Sequence, residues 1–304
     1  MKKILFATDG SEYSKHAAEL LSRLPHSGKL EVIVVSIVNT PKVYSDGSQA
    51  QWLQDYVQEQ NDQARESFQY VQQLFEGANT EVTHIVDKGA VGATLVQLAE
   101  EHQVDIVVMG ARGHANVERI LLGSTSDYVA THAPCSVLIV RPSTSVDQDE
   151  QMRIAIGFEE SGPAQAAIQE FAEVQWGSKS RVQLVTVVQP LIEFGGDIDP
   201  DVDAQAKLIE SMRRAASDLK DSCADVQTKI VDHRHVGEGI VRFTEENLCT
   251  MVVVGETPRS TIGRLLMGSV SRYVLRHAPC SVWITRNRLI DARGKKSKQS
   301  AQAT

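Results

Sequence analysis

DIVVMGARGHANVERILLGST, residues 105–125, holds an apolar run, two glycines with two residues between them, and a Gly-Ser-Thr nine residues further on. Ile106–Met109 have no polar interruption, the pattern of a parallel strand covered on both faces. A glycine loop leading from such a strand to a helix start is the β-to-α joint of a doubly wound sheet. The joint occurs twice: MVVVGETPRSTIGRLLMGSV at 251–270 repeats it, with Gly255, Gly268 and Ser269 in register with Gly110, Gly123 and Ser124.

Working outward, the repetition extends to the whole domain. HAPCSV at 132–137 recurs letter for letter at 277–282, and ILFATDGS at 4–11 aligns with IAIGFEES at 154–161. VVSIVN at 34–39 likewise aligns with LVTVVQ at 184–189. Two copies of one domain are expected, over 1–141 and 152–286. The Ser-, Asp- and Gln-rich stretch 142–151 reads as an exposed linker, and 287–304 as a polar, basic, disordered tail.

In the first copy, strands are expected at 3–8, 30–38, 81–87, 105–110 and 136–140. Helices alternate with them: one N-capped by Ser11 and stopped near Leu24 by Pro25 and Gly28, one from 49 to 76, one from 92 to 102, and one from the Gly-Ser to His132. The second copy repeats the order, with strands near 152–158, 181–188, 226–234, 250–255 and 281–285. The fold class is therefore α/β: two tandem doubly wound domains, each a five-stranded parallel sheet with helices on both faces.

With 304 residues, 42% hydrophobic and 23% charged, each half can bury a core. A net charge of −8 argues against a protein built to grip nucleic acid or an anionic membrane, since both require a dominant basic surface. The apolar run 32–38 is too short to span a bilayer. Cys135, Cys223, Cys249 and Cys280 show no C-x-x-C spacing, so a reduced, cytoplasmic setting is expected. MKKILFATDG suits a first strand rather than a secretory signal.

The loop chemistry favours an anion. Gly110, Gly113 and Gly123 let backbone N–H groups approach phosphate oxygens, and Ser124 and Thr125 add hydroxyls where a helix dipole is positive. Arg112, His114 and Arg119 add positive charge, offset in part by Glu118.

TDGS after the first strand, the G-x2-G-x9-G-[ST] spacing of 110–124 and the HAPCSV run resemble the universal stress protein family in a tandem form. The resemblance implies the strand order 3-2-1-4-5, ATP binding where the glycine pattern is intact, pairing of domains through strand five within a chain or in a homodimer, and a role in stress survival. By position, Thr8 and Asp9 would face the nucleoside, Val38 the adenine, and Met109 and Gly110 the floor. Arg112, Gly113, Gly123, Ser124 and Thr125 would surround the ribose and phosphates, with or without Mg2+.

The second copy departs from that pattern. Glu159 stands for Asp9, Pro258 for Gly113 and Val270 for Thr125, while Val188, Gly255, Gly268 and Ser269 remain. Proline lacks an N–H and fixes φ near −65°. A lost donor to a charged oxygen costs about 1.5 to 3 kcal/mol, so nucleotide is expected mainly in the first copy.

Three function classes follow: an ATP-binding regulatory protein acting on a protein partner that the sequence does not name, a slow ATPase, and a nucleotide-free adaptor. Enzyme signatures are missing, with neither a Walker lysine nor a kinase set, and Asp9 and His114 are the weak candidates for hydrolysis. His132 with Cys135, and His277 with Cys280, each supply two ligands where a closed zinc site needs four, so packing roles are expected. His84, and His233 and His235 alternating along a strand, are read the same way. Trp52, Tyr56, Phe68 and Tyr70 mark the 49–76 helix as a packing helix, and RGKKSK at 293–298 as solvated.

Overall fold

Lys-Ile-Leu-Phe-Ala is the first strand, β1 (Lys3–Ala7), and its last four residues are buried. Apolar side chains on both faces force that strand into the middle of a layered domain. The computed structural model describes residues 1–26, 28–38, 50–113, 122–142, 151–190, 202–256 and 267–286. The chain divides into two compact units, Met1–Pro142 and Ser143–Thr304.

In the first unit β1 is followed by α1 (Glu12–Arg23), β2 (Leu30–Val38), α2 (Ala50–Leu74), β3 (Thr80–Lys88), α3 (Val91–Glu101), β4 (Ile106–Gly110), α4 (Ser124–His132) and β5 (Ser136–Val140). The strands are ordered β3-β2-β1-β4-β5, all parallel. Helices α1 and α2 pack together on one face, α1 over β4 and β5 and α2 over β2, while α3 and α4 pack together on the other. Ile4, Leu5, Phe6, Val107, Val108, Val137, Leu138 and Ile139 are wholly buried and form the central core.

Local signals explain the boundaries. Ser11 caps α1, its Oγ accepting the Ser14 N–H at 3.3 Å. Gly77, at φ 79°, takes the left-handed conformation beyond α2.

The second unit runs β6 (Met152–Gly157), α5 (Gly162–Ala172), β7 (Gly177–Val188), α6 (Val202–Leu219), β8 (Cys223–Asp232), α7 (Val236–Glu246), β9 (Met251–Gly255), α8 (Ser269–His277) and β10 (Ser281–Thr285). Its strand order, β8-β7-β6-β9-β10, is the same doubly wound arrangement. Ser161 caps α5 as Ser11 caps α1, its Oγ accepting the Ala164 N–H at 3.2 Å.

Two expectations are corrected. β7 begins at Gly177, where a register shift against β8 separates Gly177 from Arg181, so the expected start at 181 marks only where regular pairing begins. β8 ends at Asp232, and His233 and His235 therefore do not alternate along a strand. His233 Nδ1 lies 3.0 Å from the His235 carbonyl oxygen, a turn closed by a side chain, and His235 is the N-cap position of α7. Residues 143–150 of the expected linker and the tail 287–304 lie outside the described residues.

Candidate functional site

The strand order of the first unit reverses between β1 and β4, and ligand crevices in such sheets open beyond the carboxyl ends of the strands at that point. Ala7 pairs with Val35 of β2 on one side and Met109 of β4 on the other, so the residues after Ala7 and Gly110 emerge side by side. Thr8 continues the ladder for one bond, its N–H donating to the Val35 carbonyl at 3.0 Å. Thr8, Val38 and Met109 are buried.

The turn after β1 is tied to the start of α1. Asp9 Oδ1 accepts from the Ser11 N–H at 3.0 Å and from Ser11 Oγ at 2.6 Å. Its other oxygen, Oδ2, faces Gly113: a Cβ built on Gly113 would collide with it. The aspartate and the second loop glycine, 104 positions apart in the chain, are thus brought into contact. Gly10 takes φ +78°, and α2 leans over it so closely that a Cβ there would lie 2.9 Å from Ser67 Oγ. Gln63 Nε2 of α2 also reaches the Asp9 carbonyl at 3.5 Å.

Gly110 has a different reason for being glycine. A Cβ there would lie 2.8 Å from the Tyr13 carbonyl carbon, so α1 packs backbone to backbone against the end of β4. The Tyr13 ring carries the Arg112 guanidinium 5.5 Å from its centroid. Arg112 is half-buried and Asp9 exposed at the mouth of the crevice.

On the far side of the loop, the Gly123 N–H donates to the Ala111 carbonyl at 2.8 Å, and the Gly123 carbonyl accepts the Asp127 N–H at 2.9 Å. Gly123 is therefore the N-cap of α4 and, being glycine, contributes no side-chain cap of its own to the first turn. Ser126 Oγ donates to the carbonyls of Gly110 and Ala111 at 3.0 and 3.1 Å, clamping the helix start to the end of β4. Thr8, Asp9, Met109, Gly110, Arg112, Gly113, Gly123, Ser124 and Thr125 lie on the β1 turn, the end of β4 and the start of α4, and Val38 ends β2. His114, Glu118 and Arg119 fall outside the described residues.

Beside this crevice α2 carries an open groove of about 610 Å³ lined by Asp55, Gln58, Glu59, Asp62, Gln63 and Glu66. Its carboxylates disfavour an anion there, whereas Arg112 and the start of α4 favour one.

The second unit keeps the frame and changes the lining. Ser271 Oγ donates to the Gly255 carbonyl at 2.9 Å, as Ser126 does to Gly110, and Gly268 caps α8 as Gly123 caps α4. Glu159 accepts from Ser161 Oγ at 3.1 Å, the counterpart of Asp9 and Ser11. Phe158, buried, occupies the position of Thr8, and the exposed Glu160 that of Gly10. Both changes are visible in the aligned ILFATDGS and IAIGFEES segments, yet comparing only the acidic residue passes over them. Where the first unit has Ala111 and Arg141, the second has Glu256 paired with Arg286, both side chains buried. Pro258 falls outside the described residues.

The repeated His and Cys residues have local partners. His132 and His277 each stack on a tyrosine one turn earlier at 4.1 Å, with Nδ1 2.8 Å from its carbonyl oxygen. The four cysteines are buried, and burial raises the Cys249 thiol to about 11, so it stays protonated at neutral pH. Among the described residues no helix is long and apolar enough to cross a membrane.

Comparison with known proteins agrees with the duplication. A universal stress protein of Methanocaldococcus jannaschii is 28% identical over 142 residues, spanning 46% of this chain and 82% of that protein. One from a Synechocystis species is 29% identical over 149 residues, spanning 46% of this chain and 97% of that protein. The crystal structure of a universal stress protein from Archaeoglobus fulgidus matches 94% of this chain and 98% of its own, with TM-score 0.65 at 21% identity, a likeness of fold. The family model described as "Universal stress protein family" matches residues 1–141 and again 151–286. With two strand-and-glycine-loop units of one topology and a family match to each, the chain belongs to the universal stress protein family as a tandem member.

Proposed function

We propose that the first unit binds an adenine nucleotide, ATP in the first instance, and that the bound state regulates contacts with a protein partner. The observation that carries this reading is the meeting of Asp9 with Gly113 beside the glycine-capped start of α4 at the switch point between β1 and β4. That arrangement supplies what a nucleoside phosphate needs: a carboxylate for ribose hydroxyls, backbone amides and a helix dipole for phosphate oxygens, and Arg112 for their charge. Regulation requires that the two states of the loop differ in affinity for ATP.

The second unit is proposed to bind nucleotide weakly or not at all. Phe158 replaces a hydroxyl with a buried ring. The adjacent carboxylates Glu159 and Glu160 put two negative charges where the first unit has one, and Pro258 removes an amide donor.

The test is direct. Freshly purified protein is denatured and the released small molecules are chromatographed, followed by calorimetric titration with ATP, with and without Mg2+. Bound or titratable ATP, abolished by Gly123→Val, is the expected result. Turnover to ADP would move the reading to a slow ATPase, and unchanged affinity in Gly123→Val would remove the site.

A further inference from the structure

Tyr13 is not part of the glycine loop, yet it touches that loop twice. Its backbone lies against Gly110, so close that a Cβ there would be 2.8 Å from the Tyr13 carbonyl carbon, and its ring lies under Arg112 at 5.5 Å. The first contact sets the start of α1 close against the end of β4, and so places the Tyr13 side chain next to the residues that follow Gly110. The second uses the ring to hold a guanidinium. Arginine otherwise has four rotatable side-chain bonds and loses rotamer freedom when it must grip a ligand.

We propose that Tyr13 is a positioning residue for the nucleotide site, holding Arg112 over its ring so that the guanidinium is already aimed at the phosphates when the nucleotide arrives. This rests on the reading of the first unit as a nucleotide site. The second unit lacks both halves of the device at once: Pro163 stands for Tyr13 and Thr257 for Arg112. A ring serving only the packing of α1 would have no reason to be lost together with the arginine. The proline, by contrast, takes the N1/N2 position of α5, where it suits the helix start and has no cation to serve.

A double-mutant cycle on the full chain, read by calorimetric titration with ATP, tests this. Arg112→Ala is expected to weaken binding about tenfold, the loss of a charged donor to phosphate. Tyr13→Leu is expected to weaken it roughly two- to fivefold in the unaltered background, the range of an exposed cation–π contact. In the Arg112→Ala background Tyr13→Leu should cost nothing further, and Tyr13→Phe, which keeps the ring, should bind within about twofold of the unaltered chain. An equal loss from Tyr13→Leu in both backgrounds would show a structural role and overturn the proposal. So would binding that Arg112→Ala weakens and Tyr13→Leu leaves untouched, with the nucleotide site itself standing. Absence of ATP binding by the unaltered chain would overturn the site and the proposal together. Melting temperatures recorded for each variant separate a loss of fold from a loss of affinity.

Discussion

Asp9 and Ser11 form one hydrogen-bonded unit that serves two ends, and a matched pair of substitutions separates them. Ser11 Oγ accepts from the Ser14 N–H as an N-cap and donates to Asp9 Oδ1 at 2.6 Å. Ser161 has the same two roles toward Ala164 and Glu159. Ser11→Ala and Ser161→Ala are therefore each expected to cost about 1 kcal/mol of stability in urea unfolding. On the proposed reading only Ser11→Ala should also weaken ATP binding, by roughly threefold to tenfold, because only the first unit's carboxylate is proposed to meet a nucleotide. Equal effects on affinity would contradict the asymmetry of the units. Gly113→Ala is a second probe: its Cβ would meet Asp9 Oδ2, the tip of an exposed side chain, so it should leave the urea midpoint nearly unchanged while displacing the carboxylate and weakening ATP binding. At this scale both residues were legible in the sequence, Asp9 from TDGS and Gly113 from the glycine spacing. Their contact was not, because nothing in local pattern links positions 104 apart; nor was the service of Tyr13 to Arg112, which depends on how α1 settles on β4.

Strands and helices were legible wherever side-chain periodicity is strong. β2, β5 and β10 match the expected ranges, each built around a buried apolar run. The sequence misleads where alternation outlasts the strand, as at His233 and His235, and where a strand starts in polar residues, as β7 does at Gly177. α2 shows a different limit: the expectation of packing fails at Trp52, which is 54% exposed and stacks on Tyr56 of the same helix, while Phe68 and Tyr70 do reach other elements. Phe68 lies flat on His84 of β3, with centroids 4.6 Å apart and planes 3° from parallel, and His84 Nε2 lies 3.3 Å from Ser36 Oγ of β2. His84 thus joins a helix to the two outer strands, and burial holds its imidazole below the ordinary value of 6.5. The folded state therefore takes up the proton at lower pH than the unfolded chain. Stability from this site is intact above pH 6.5 and is lost as the pH falls from there through the folded value. Urea midpoints at pH 7.5 and 5.5 are expected to drop more in the unaltered protein than in His84→Phe, which keeps a ring against Phe68. Identical drops in the two proteins would remove His84 from the account.

Duplication gave the molecule two frames, and each kept what its backbone requires. Gly123 with Ser126 and Gly268 with Ser271 clamp a helix to the end of a strand in the same way, so that part of the glycine pattern has a structural reason in both units. Among the positions that diverge are Thr8 to Phe158, Asp9 to Glu159, Gly10 to Glu160, Gly113 to Pro258 and Thr125 to Val270, which the proposed reading assigns to the nucleotide site, and the joint itself changes at Ala111 to the buried Glu256. If those five positions are what separates the two units in nucleotide binding, restoring them should restore binding. Calorimetric titration of the unaltered chain with ATP is expected to give one site, which Gly123→Val removes. The variant carrying Phe158→Thr, Glu159→Asp, Glu160→Gly, Pro258→Gly and Val270→Thr is expected to gain a second, weaker site that survives Gly123→Val. Phe158→Thr removes a buried ring and costs about 3 to 5 kcal/mol if the space does not refill, so folding of the variant is checked by its melting curve before titration. Two equivalent sites in the unaltered chain would show that Pro258 and the paired glutamates do not exclude the nucleotide, and that the second unit lost nothing in diverging.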